Sequence, residues 1–94
     1  MSKKFDSIPI EEDTRIRYRK EVRLGKFDVL HEKWCWEGIL AESLIFANDD
    51  VSRMTDEEIE REARKSTLVR EDSEILIRRS DSGFTFVNFN FEAT

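Results

Sequence analysis

Apolar and polar positions alternate from Thr14 to Leu24. Ile16, Tyr18, Val22 and Leu24 share one side of an extended chain, interrupted by Lys20. Arg15, Arg17, Arg19, Glu21 and Arg23 share the other. A period of two over this length predicts a strand with one wet face. Gly25-Lys26 then reads as a turn, and Phe27-Asp28-Val29-Leu30 as the second strand of a hairpin. From His31 to Trp36 the pattern is ambiguous, and Glu37-Gly38 interrupts it. Between Ile39 and Phe46 the apolar residues spread right round a helical wheel. Extended, Ile39, Ala41 and Ile45 face one way and Leu40, Leu44 and Phe46 the other. That predicts a central strand buried on both faces. A buried helix is the alternative, because Ala, Leu and Glu are good helix formers.

Asn48-Asp49-Asp50 ends that element, and the next signal is helical. Thr55-Asp56-Glu57-Glu58 has the form of a capping box, in which a hydroxyl and a carboxylate satisfy each other's backbone amides. Acids follow at the helix start, where its dipole favours anions, and Arg61, Arg64 and Lys65 lie where it favours cations. Glu57–Arg61 and Glu60–Arg64 are spaced as i,i+4 pairs. The helix runs over about 55–66, with a narrow apolar stripe of Ile59 and Ala63 after Met54. Two β-prone runs close the chain, Glu74 to Arg78 and Phe84 to Phe91, around a turn at Asp81-Ser82-Gly83.

The element order is ββ(β)αββ, an α+β fold with a small antiparallel sheet of about five strands covered by one helix. Residues 1–94 form a single domain. Residues 1–13 are expected to be a partly ordered segment from which Phe5, Ile8 and Ile10 can dock on the core. A composition of 38% apolar and 39% charged residues fits a soluble globular chain rather than a disordered one. No apolar run approaches the length of a membrane span, and the start lacks the apolar centre of a signal peptide. The single Cys35 has no internal disulfide partner, so the expected location is a reducing cytoplasm.

Charge changes the picture more than composition. The net charge of −5 is segregated: residues 14–33 hold seven Lys or Arg against three acids, and residues 34–60 one Arg against eight acids. This predicts an oriented surface for a partner. Arg15, Arg17, Arg19 and Arg23 are the basic candidates, with guanidinium groups placed in parallel for phosphates or carboxylates. Asp56, Glu57 and Glu60 are the acidic candidates, in a stretch that can mimic a phosphate track. Capping and solvation explain much of that stretch, as pairing within the sheet does for the Arg row.

His31 and Cys35 are two ligands where a zinc site needs four, and the chain has no other His or Cys, so no metal is expected, and no cofactor motif occurs. No catalytic nucleophile arrangement stands out either. Val87, Phe89 and Phe91 make the C-terminal strand apolar on a second face, which predicts an oligomer interface in a homodimer or higher even assembly. The N-terminal segment is the alternative cover. The first functional reading is therefore a small acidic, non-enzymatic protein-binding module: a regulator, inhibitor or accessory factor of the size mobile elements and phages encode. The second is a nucleic-acid binder using the Arg strand. The third is a small enzyme or ligand-binding protein with a pocket near Trp34, Trp36 and His31.

Overall fold

A computed structural model describes residues 5, 8 and 15–94, except for the side chain of Arg17. Among the described residues five strands form one antiparallel sheet: β1 (Arg15–Leu24), β2 (Phe27–Trp36), β3 (Ile39–Ala47), β4 (Leu76–Arg79) and β5 (Phe84–Ala93). Their order across the sheet is β1-β2-β3-β5-β4, so the C-terminal strand inserts beside β3 and β4 takes the edge. Ile39 to Ala47 is thus the middle strand, as its two-sided apolar pattern predicts. The ambiguous stretch His31 to Trp36 simply continues β2. Between β3 and β4 lie a short turn of helix, α1 (Asn48–Val51), which the sequence pattern did not reveal, and the expected helix, α2 (Asp56–Ala63).

The α2 start has both halves of its capping box. The Glu58 amide donates to Thr55 Oγ1 at 3.2 Å, and the Thr55 amide donates to Glu58 Oε1 at 3.0 Å. The Thr55 amide first, then the Thr55 side chain, with the Arg61 charge a smaller cause, hold the Glu58 carboxyl below its ordinary value. Thr55→Ala is expected to cost about 1 kcal/mol in urea melts. Glu58→Gln costs less, because Gln also reaches the amide. Since the folded-state value of Glu58 is the lower one, its extra contribution is complete above the unfolded value and is lost as pH falls through the folded value. The gap between wild type and Glu58→Gln therefore closes in acid; a gap independent of pH there would show that the carboxylate charge does not cap the helix.

Two apolar layers sandwich the sheet. On one face, α1 and α2 press Val51, Ile59 and Ala63 onto Leu24, Phe27, Val29, Leu44, Phe46, Val87 and Phe89. On the other, Phe5 and Ile8 cover Leu30, Ile45 and Phe84, with Phe86 beside them. Both N-terminal residues are buried, so this part of the segment is docked rather than loose. Ile10 lies outside the described residues.

Val87 and Phe89, expected at a subunit contact, are instead fully buried within one chain, under the helices. The helix stripe is narrow, but Met54, Leu68, Val69, Ile75 and Ile77 from the flanking loops and β4 widen it. Only Phe91 of the three remains exposed.

Two bulges disturb the alternation. In β1 the register steps between Ile16 and Tyr18 against β2. In β5 one extra residue opposes β3 between Leu40 and Glu42. There Asn90 takes a left-handed conformation, φ 54°, which Asn tolerates better than most residues.

Candidate binding end of the sheet

Residues directly opposite in an antiparallel pair share a face, so the register sorts side chains into rows. On the face away from α2, Leu30, Ile45 and Phe86 make an apolar row beneath Phe5 and Ile8. The next row is polar: Arg19, Glu32, Ser43 and Asn88. Arg19 Nε donates to the buried Glu32 at 2.8 Å. Trp34 Nε1 donates to Ser43 Oγ at 2.7 Å, and that hydroxyl donates to Asn88 Oδ1 at 2.6 Å. Beyond it come two more apolar rows, Ile16–Trp34–Ala41 and Trp36–Ile39–Ala93. Trp36 is 41% exposed and Ile39 38%. They flank the Glu37-Gly38 turn, where Gly38 adopts φ 80°.

The α2 face at the same end is polar. Tyr18 pairs with Lys33, Lys33 with Glu42, and Glu42 with Phe89. Glu42 is the hub. Its Oε1 meets His31 Nε2 at 2.8 Å, and its Oε2 accepts from Asn90 Nδ2 at 2.8 Å. Asn90 also donates to the Leu68 carbonyl at 2.7 Å and accepts from the Arg70 amide at 3.0 Å. Its own amide donates to Ser73 Oγ at 2.6 Å. The bulge turns Asn90 toward the 68–73 loop and lets one side chain tie that loop to the sheet. His31 is buried between the Tyr18 ring, edge-on at 5.3 Å, and the Phe89 ring, stacked at 6.5 Å. Beside this network opens a cleft of about 370 Å³, lined by Tyr18, Lys33, Leu40, Glu42, Arg70 and Asn90 among others.

The arginine row does not survive as a row. Arg19 and Arg23 keep one face, but each is paired, with Glu32 and with Asp28 at 2.9 Å. The β1 bulge puts Arg15 opposite Cys35, on the other face, and Ile16 opposite Trp34. The side chain of Arg17 lies outside the described part. The acidic candidates are also engaged or dispersed. Asp56 is bonded by Arg79 at 3.1 Å, Glu60 by Arg64 at 3.3 Å, and Glu57 is an exposed residue of the first turn of α2. His31 and Cys35 lie four residues apart on one strand, about 13 Å, which is too far to share an ion. Among the described residues no group of three or more His, Cys, Asp or Glu is placed to hold a metal, and no helix is long and apolar enough to cross a membrane.

Sequence reasoning singled out His31, Trp34 and Trp36 but missed Glu42 and Asn90. A partial signal was there: Glu42 is the one charged residue in the run Ile39 to Phe46, and Asn90 is one of three polar residues, with Thr85 and Asn88, in the run Phe84 to Phe91. A polar group in such a place is satisfied by partners when buried. No family model matches this chain, nor does any curated protein or solved structure.

Proposed function

We propose that this protein is a non-enzymatic binding module that docks another protein on the sheet face bearing Trp36 and Ile39. The observation that carries this reading is the exposed Trp36–Ile39 pair, continuous with Ile16, Trp34 and Ala41 behind it. Apolar and aromatic surface held on strands costs little entropy to dock, and Trp is the residue type richest in binding energy at interfaces. The partner supplies an apolar pocket for the indole. The net charge of −5 favours a basic surface around that pocket. Regulator, inhibitor and accessory factor are the roles such a module fills. The free Cys35 suits a reducing, cytoplasmic setting.

The partner is a different protein, because the apolar face that asked for a second copy is already covered by the helices. The nucleic-acid reading loses ground where Arg19 and Arg23 are neutralised by Glu32 and Asp28. The test is cross-linking of the tagged protein in its host, compared with Trp36→Asp, Ile39→Asp. The two positions are 41% and 38% exposed and face each other across the hairpin, so the double variant loses about 2 kcal/mol through reduced packing and opposed like charges but stays folded. It loses the cross-linked partner. A partner captured equally by both proteins, or a folded protein with no cross-linked partner at all, sinks the proposal.

A further inference from the structure

We infer that the cleft on the α2 face is a binding site for a small zwitterion, an α-amino acid with an apolar side chain. Trp36 and Ile39 do not line this cleft, although Trp34 and Ala41 behind them reach its edge. Its anionic element is Glu42, whose side chain is 18% exposed at the cleft. A carboxylate offers about four lone-pair positions. His31 and Asn90 engage one on each oxygen, which fixes the group in place and leaves positions for a ligand ammonium.

The cationic element is Lys33 with Arg70. Lys33 Nζ lies over the Tyr18 ring at 5.4 Å and makes no ion pair among the described residues. Arg70 is 57% exposed and reaches Glu92 only at 3.9 Å, a contact that a ligand carboxylate displaces at little cost. Tyr18 and Leu40 give the cleft apolar wall. A purely cationic ligand meets Lys33 and Arg70, and a purely anionic one meets Glu42 and Glu92. A molecule carrying both charges satisfies both sets. A cleft of about 370 Å³ has room for a small molecule such as an amino acid.

Titration with L-leucine, leucine amide and N-acetyl-leucine, followed by nitrogen–proton NMR, tests the assignment. The Asn90 side-chain amide and the Tyr18 and Lys33 backbone amides report on the cleft. Leucine is expected to give saturable shifts in the millimolar range, with the amide and the N-acetyl form at least tenfold weaker. Lys33→Ala with Arg70→Ala, both at exposed side chains, removes the preference for leucine over its amide. Glu42→Gln removes the preference over N-acetyl-leucine. Absence of a saturable shift with leucine, equal binding of all three compounds, or a preference that survives the Lys33 and Arg70 substitutions overturns the proposal.

Discussion

Phe89→Asp abolishes folding, whereas Phe91→Asp leaves a folded protein. Phe89 has no solvent exposure and lies among Val29, Leu44, Val87 and the helix residues. Truncation to Ala alone costs about 3–5 kcal/mol through lost burial and the cavity left behind. An aspartate there adds an unpaired charge in the core, worth several kcal/mol more. The sum is comparable with the whole stability of a domain, about 5–15 kcal/mol. Phe91 is 37% exposed, so its substitution forfeits only partial burial, about 1–2 kcal/mol. Circular dichroism separates the two outcomes, and light scattering reports the mass of whatever folds. A folded Phe89→Asp of lower mass than wild type would return this residue to a subunit contact.

Asn90→Ala is expected to cost about 4–5 kcal/mol and to free the 68–73 loop. The substitution removes the side-chain bonds to Glu42, the Leu68 carbonyl and the Arg70 amide. Net losses run at about 1 kcal/mol per buried bond, and more where a partner is left buried and unpaired. Alanine also sits badly at φ 54°, at a cost of about 1–2 kcal/mol. Asn90→Gly keeps that conformation free and loses only the bonds, so it is the more stable of the two variants. Hydrogen exchange at the Val69 and Arg70 amides accelerates in both. Exchange unchanged from wild type would show that the loop is held by the packing of Leu68 and Val69 rather than by Asn90.

Signals confined to near neighbours in the chain were legible without the structure. The capping box needs only Thr55 and Glu58, three residues apart, and both of its bonds form. The hairpin of β4 and β5 follows from two β-prone runs and a Gly83 free to take φ 101°. The two-sided apolar pattern of β3 placed it in the middle of the sheet. These features depend on periodicity and turn chemistry, which act over a few residues.

The sites were not legible because one residue of slippage reverses which face a side chain takes. The β1 bulge divides Arg15 from Arg19 and Arg23, and moves Ile16 across to Trp34. The β5 bulge brings Asn90 to Glu42, a residue 48 positions earlier. No local pattern marks either bulge. Nor does the sequence say that β5 pairs with β3, or that loop residues Leu68 and Val69 complete the cover over Val87 and Phe89. Which apolar face is buried by the chain and which is left for a partner is therefore decided by long-range packing. Sequence by itself determined the order of the longer elements, though not α1; the tertiary structure alone decided the faces, because burial is shared among segments distant along the chain.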